Sequence, residues 1–339
     1  MKQKLILGFS LLLLIAVIVL ISRDLFNSSP GNEENPNEYN LEKLRKIDTS
    51  LLCYKQVKQL KTGLGSLNSI AIDEELNVFV VGNDHLEVYD KTWKKISDFA
   101  VDSFAHCLAV DKNKTIYVGI DSHIEVFDLK GKKLSSWEPY SKDGYLTSLV
   151  LKEGNLFAAD AESKLVLRYD LSGKLINTIG AKDKARGIDG FIIPSMYFDV
   201  AIGPYKELWI SNPGRHLLQN FTPEGDLLSS WGTPSMQIDG FAGCCNPVHF
   251  AILPDGRFVT YEKGLDRIKV YNQTGKFLCV VAGPSKIDEN SLNTCSVSSP
   301  VHDLVCDKYG TVYVLDGEAK LIRVFEKSNQ EGLENGKQQ

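Results

Sequence analysis

A basic excess is missing: 38 Lys+Arg stand against 43 Asp+Glu, a net charge of −5. A protein that tracks a polyphosphate backbone carries the opposite balance, so nucleic acid is excluded as a partner. Familiar catalytic signatures are missing too. The sequence holds no Ser-x-x-Lys, no Gly-x-Ser-x-Gly, no P-loop, no dinucleotide turn and no Cys-x-x-Cys. The enzymes that carry those motifs are excluded with them. Methionine falls to 3 residues, whereas Gly reaches 27, Tyr 13 and Phe 15, a mix that favours turns and strands over helices. With 43% apolar and 24% charged residues, a disordered, collagen-like or all-membrane chain is excluded as well.

One long uncharged run is present, Leu5–Ser22 (LILGFSLLLLIAVIVLIS). As a helix at ~1.5 Å per residue it covers about 27 Å, close to the hydrocarbon core of a bilayer. No Ala-x-Ala site ends it and no lipobox cysteine follows it. It therefore reads as an uncleaved anchor over residues 1–22, with a cleaved signal peptide as the rival. Lys2 and Lys4 keep the N-terminus cytoplasmic. This places the remainder on the extracytoplasmic side of the cell membrane, single-pass, where disulfides persist. Residues 23–47 form a polar spacer, with a short helix expected where Leu41, Leu44 and Ile47 fall at helical spacing.

The rest repeats. An alternating segment, a turn and a second strand recur as SIAIDEELNVFVV (Ser69–Val81), CLAVDKNKTIYVG (Cys107–Gly119), SLVLKEGNLFAAD (Ser148–Asp160), DVAIGPYKELWISN (Asp199–Asn212), HFAILPDGRFVTYE (His249–Glu262) and DLVCDKYGTVYVLD (Asp303–Asp316). A third strand follows each, as in LEVYD (Leu86–Asp90) and IEVFD (Ile124–Asp128). A tight turn and a fourth strand come next, with Gly131, Gly173, Gly225 and Gly275 at one position; the first copy has Trp93 there. Six four-stranded copies predict an all-β, six-bladed β-propeller over residues 48–327, ahead of a disordered tail at 328–339. The sixth copy stops after its third strand, so Cys53–Leu60 (CYKQVKQL) is expected to supply the fourth and close the ring.

The lines "AVD…IYVG…IEVFD…GK" resemble the NHL-repeat propellers from Cys53 to Glu326. That resemblance implies the fold; the family includes binding modules as well as enzymes.

Strand directions alternate within a blade, so the blade-to-blade connections share one face, the upper face, with the loops between strands two and three. The long loops Gly180–Tyr197, Gly232–Val248 and Ala282–Val301 all lie there and enter blades four to six, which points to a binding site over that sector. Asp199, Asn212, Arg215, Cys244, Cys245, His249, Glu262 and Asp303 are its candidate ligand-binding residues. Ile188-Asp189-Gly190-Phe191 and Ile238-Asp239-Gly240-Phe241 match at the blade offset and read as duplicated turns whose Phe plugs between blades.

Three of the six histidines, His106, His249 and His302, fall at or next to the start of an inner strand, a convergence suited to a divalent metal such as Zn. The His302 copy resembles the His-bearing inner strands of the peptidylglycine amidoglycolate lyase propellers, although His249 stands one register later than the other two. The carboxylates at Asp160, Asp199, Glu262, Asp303 and Asp316 suit Ca²⁺ or acid–base work, as in the gluconolactonase-like propellers. The acids also suit a plainer task, capping turns. Seven cysteines cannot all pair within the chain. Cys244-Cys245 can form a vicinal disulfide, bond Cys295, or bind a soft metal. Cys107 stands at the channel mouth as the candidate reactive thiol, Cys306 reads as core, and Cys53 and Cys279 read as residues of outer strands. The leading expectation is a membrane-tethered binding or sensory module for a protein or small-molecule ligand. The alternative is a metal-dependent lyase or hydrolase.

Overall fold

The computed structural model describes residues 41–102, 104–284, 296–297 and 301–328, with the backbone alone at 41, 42, 296, 297, 301 and 302, and helical residues at 15, 17 and 19. The chain divides into two compact units, residues 1–40 and 41–339. The apolar run at 5–22 lies almost wholly outside the described residues. Among those described, no helix is long and apolar enough to cross a membrane.

The second unit opens with α1 (Leu41–Arg45), the short helix expected from the spacing of its leucines, and continues into β1 (Tyr54–Lys61). Six antiparallel sheets follow. Blade one holds β2 (Ser69–Ile72), β3 (Val78–Val81), β4 (His85–Tyr89) and β5 (Lys95–Ala100). Blade two holds β6 (Ala105–Val110), β7 (Ile116–Ile120), β8 (His123–Phe127) and β9 (Lys133–Trp137). Blade three holds β10 (Leu146–Lys152), β11 (Asn155–Asp160), β12 (Leu165–Asp170) and β13 (Leu175–Ile179). Blade four holds β14 (Val200–Ile202), β15 (Leu208–Asn212), β16 (Leu217–Phe221) and β17 (Leu227–Trp231). Blade five holds β18 (His249–Ile252), β19 (Phe258–Glu262), β20 (Arg267–Tyr271) and β21 (Phe277–Pro284), plus β22 (Ser296–Val297) in parallel. Blade six holds β23 (Val301–Cys306), β24 (Val312–Asp316) and β25 (Leu321–Lys327).

The ring closes as the sequence predicts. β1 pairs antiparallel with β25, from Tyr54↔Lys327 to Lys61↔Leu321, and supplies the missing fourth strand of blade six. Closure matters because a four-stranded blade cannot bury both faces alone. The second strands are accordingly buried: VFVV of β3, IYVGI of β7 and VYVLD of β24 are buried at every residue. Phe79, Val81, Leu86 and Val88 of blade one pack with Leu108, Ile116, Val118 and Phe127 of blade two in one apolar cluster.

Closure is also covalent. Cys53, just ahead of β1, is disulfide-bonded to Cys279 in the outer strand of blade five, with Cα atoms 5.9 Å apart. The sequence placed these two cysteines in outer strands without pairing them. Their 226-residue separation hides an adjacency that only the closed ring creates. Cys53 N–H also donates to Val280 O at 3.0 Å.

The hairpin glycines do two jobs. Gly173 has φ +91°, and a Cβ there would lie 2.6 Å from the indole of Trp137 on the neighbouring blade, so the turn packs flat on that ring. Asp170 Oδ1 accepts from Ser172 N and Lys174 N across the same turn.

Each outer strand is bulged, the five that follow a hairpin close to that turn. Ile96, Leu134, Ile176, Leu228, Leu278 and Val57 are the residues skipped in the pairing of β5, β9, β13, β17, β21 and β1. All six are exposed aliphatics. The bulge breaks the ladder on the rim, which hinders another strand from adding to the blade edge.

Candidate functional site

The inner strands stand side by side around the axis and enclose a channel cavity of about 280 Å³, lined by residues of all six, among them Ile72, Val110, Leu151 and Val305. Above it, on the upper face, lies a second cavity of about 340 Å³. Its walls are Asn68, Asn83, His106, Tyr145, Thr147, Met196, Tyr197 and His249. Blades one to five thus contribute, which sets this cavity over the axis. At blade four and its entry loop lies a smaller cavity of about 180 Å³, lined by residues including Asp189, Arg215 and Gln219.

Bulges aim part of the axial wall. Pairing skips His106 between Ala105 and Cys107 in blade two, and Thr147 between Leu146 and Ser148 in blade three. A skipped residue leaves the strand's alternation and can turn toward the axis. His302 occupies the same backbone position in blade six, between Val301 and Asp303; its side chain lies outside the described residues.

Two imidazole–phenol pairs line the axial cavity. His106 lies against Tyr145 with ring centroids 4.4 Å apart, its Nδ1 3.3 Å from the Tyr145 hydroxyl and its Nε2 3.1 Å from Asp121 Oδ1. His249 meets Tyr197 edge-on at 5.8 Å, and its Nδ1 is 3.8 Å from Asp199 Oδ2. Among the described residues, His249 Nε2 has no hydrogen-bond partner.

The carboxylates beneath act first as latches between blades. Asp199 accepts from Phe250 N of the next blade at 2.9 Å and from Val200 N at 2.9 Å. Asp303 accepts from Ile70 N at 3.0 Å and Ser69 Oγ at 2.7 Å, joining blade six to blade one. Set close together at the axis, these groups perturb one another. Withdrawal from water and the charge of Asp199 raise the Asp303 carboxyl to about 6, against the opposing pull of His249. For His249, burial disfavours the charged ring, but contact with Asp199 and the charges of Asp199 and Asp303 outweigh it, and its pKa is raised.

Other predicted site residues are placed apart from this cluster. Asn212 is buried and holds the blade-four entry loop, accepting from Ile192 N and donating to Gln219. Arg215 pairs with Asp189 at 3.3 Å. Glu262 is buried beneath the Gly240–Ala242 loop, where its Oε2 takes Arg267 Nε at 2.7 Å and Lys269 Nζ at 3.0 Å. Phe191 and Phe241 are both buried, as plugs of duplicated turns should be.

Cys244 and Cys245 are not among the residues that line the axial cavity. Cys244 is exposed and Cys245 buried, both carry free thiols, and their Sγ atoms are 3.4 Å apart. Lys263 reaches over them: its Nζ is 3.5 Å from Ser195 Oγ and lies 4.5 Å from the centre of the Tyr197 ring. Cys295, their expected alternative partner, lies outside the described residues. Cys107 is buried and burial pushes its thiol pKa up; this corrects its reading as the reactive thiol. Cys306 packs against the core cluster of blades five and six, as expected. Among the described residues, no group of three or more His, Cys, Asp or Glu is arranged to hold a metal ion.

Sequence reasoning missed Asn83, Tyr145, Met196 and Tyr197 as wall residues. One signal was available: an aromatic stands three residues before Ser148 and two before Asp199, where each entry loop dips to the axis.

No family model matches the chain, and no curated protein sequence matches it. Solved structures do share its fold. A streptogramin B lyase aligns with a TM-score of 0.58 at 11% identity, over 83% of this chain and all of that one. Virginiamycin B lyase from Staphylococcus aureus aligns at 0.56 and 12%, over 81% of this chain and all of that one. A Bacteroides thetaiotaomicron protein of unknown function aligns at 0.55 and 14%, over 81% of this chain and 72% of that one. At such identities the likeness shows the six-bladed propeller and nothing finer.

Proposed function

We propose that this chain is a membrane-tethered, extracytoplasmic propeller of the NHL type that binds a polar small molecule in its axial cavity. The observation that carries the reading is the convergence of two imidazole–phenol pairs, His106–Tyr145 and His249–Tyr197, with Asn68 and Asn83 in one cavity of about 340 Å³. That size lies at the small end of ligand pockets. Its walls offer aromatic faces and hydrogen-bonding groups of both kinds, which suits an uncharged or weakly cationic ligand rich in amide or hydroxyl groups. The tether rests on the 18-residue uncharged run after Lys4.

The test is a thermal-shift panel of disaccharides, cyclic peptides and aromatic amines on the full-length protein in detergent. A compound that stabilises the wild type but neither Tyr197→Ala nor His249→Asn supports the site. Stabilisation that survives both substitutions moves the site elsewhere.

The pairing of His249 with Asp199 favours a second reading, acid–base catalysis of a lyase reaction by His249. One fold neighbour is a catalytically inactive His-to-Ala variant of virginiamycin B lyase solved with quinupristin. Chromatography of quinupristin incubated with this protein decides it. Consumption that His249→Ala abolishes supports the enzyme; an unchanged antibiotic leaves the binding module. A metal role for His106, His249 and His302 rests on a side chain outside the described residues, and stoichiometric Zn or Ca in the purified chain is its test.

A further inference from the structure

The Cys244–Cys245 pair lies outside the cavity wall and has no part in the ligand contacts argued above. We propose that it is a dithiol exchange site, at which Cys244 is the entry thiol and Cys245 the resolving thiol for low-molecular-weight disulfides of the glutathione-disulfide class.

The division of labour follows from placement. Cys244 is exposed and Cys245 is buried, so an incoming disulfide meets Cys244 first, even though contact with Cys245 raises the Cys244 pKa and the attack passes through its minor thiolate form. Cys245 is the thiol in contact with Lys263 and Ser195. An ammonium and a hydroxyl beside a sulfur stabilise the thiolate, and those contacts, with that of Cys244, lower the Cys245 pKa against its own burial. The thiolate needed for the second step is thereby held 3.4 Å from the sulfur it attacks. Closing that gap to the ~2.05 Å of a disulfide is a short local movement.

The steps balance. The Cys244 thiolate attacks one sulfur of the external disulfide, forms a mixed disulfide and expels one thiolate. The Cys245 thiolate then attacks Cys244 Sγ, forms the Cys244–Cys245 bond and expels the second thiolate. Two protein thiols lose two electrons and two protons, and one external disulfide becomes two thiols. The product removes the anion that faces Lys263, whose ammonium lies over Tyr197 in the cavity wall. Oxidation of the pair is thus linked to the wall of the cavity.

The experiment incubates full-length protein with glutathione disulfide, blocks remaining thiols with N-ethylmaleimide and maps the peptide holding both cysteines by mass spectrometry. The wild type is expected to lose two hydrogens and take up no maleimide there. Cys245→Ser is expected to stop at a glutathione adduct on Cys244. Cys244→Ser alters only an exposed residue and is expected to leave Cys245 unmodified by glutathione. Lys263→Met is expected to slow the second step at least tenfold, so that the mixed disulfide accumulates. Full maleimide labelling of both wild-type thiols, or a stable glutathione adduct on wild-type Cys244, overturns the proposal. Glutathione on Cys245 in Cys244→Ser overturns the assignment of the entry thiol.

Discussion

His249 Nδ1 stands 3.8 Å from Asp199 Oδ2, at ion-pair rather than hydrogen-bond distance, while Asp199 spends that same oxygen on Phe250 N in the next blade. The carboxylate is therefore committed twice, once to holding two blades together and once to the imidazole at the axis. Asp303 is committed in the same way to blade one. The same residues serve the ring and the electrostatics of the candidate site.

This arrangement sets a pH dependence. Asp303 titrates near 6 in the folded chain and near 3.9 when unfolded, so the folded state binds more protons between pH 4 and 6. The stability Asp303 contributes is present below pH 4 and is lost as pH rises through 6. The stability of the wild type relative to Asp303→Asn, read from urea unfolding, is expected to fall across that window. A rise there would mean an ordinary ion-paired aspartate. His249→Gln removes the cation that holds Asp303 down, so the window should move upward.

The Cys53–Cys279 bond ties the closing strand to the blade before it. Cys53→Ser with Cys279→Ser is expected to lower stability by roughly 2–5 kcal/mol, the usual cost of losing a native disulfide. Amide exchange should rise first in Tyr54–Lys61, because β1 is joined to the rest of the ring at its N-terminal end by that bond and by its ladder with β25. A reductant should depress the melting temperature of the wild type and leave that of the double variant almost unchanged.

Ring closure was legible because blade six lacks a strand and Cys53–Leu60 carries one to spare. The turn glycines were legible because positive φ favours glycine. What stayed hidden depends on blade-to-blade adjacency. Asp199 and Asp303 read equally as metal ligands, acids or caps, since the amides they latch belong to segments 51 residues downstream and 233 upstream. The axial cavity takes walls from five blades, so its position over the axis followed from geometry that no single repeat displays. The sector over blades four to six stood out in sequence because its loops are long.

Lys269 offers a second titration of opposite sign to that of Asp303. It is fully buried, donates to Gly240 O, sits 3.0 Å from Glu262 Oε2 and lies against the rings of Phe241 and Tyr271. Desolvation lowers its pKa to about 8, although Glu262 pulls the other way. The unfolded chain therefore binds more protons between pH 8 and about 10.4, and stability should rise over that range. Lys269→Met is expected to flatten the rise, with Glu262 still paired to Arg267. An equal slope in both proteins would assign the effect to another group.

Two glycines separate backbone strain from packing. Gly154, in the β10–β11 turn, has φ +76° and no atom within 4 Å of the Cβ it lacks. Gly173, in the β12–β13 turn, has φ +91°, with Trp137 2.6 Å from that position. Alanine at either site pays for a left-handed backbone, about 1 kcal/mol. At Gly173 it must also displace a buried indole that packs between Tyr117 and Tyr169, adding roughly 1–3 kcal/mol of overpacking. Gly173→Ala should therefore lower stability more than Gly154→Ala, and tryptophan fluorescence should shift in the first variant alone. Equal losses would show that the Trp137 ring yields freely, and that the turn is not a fixed seat for the neighbouring blade.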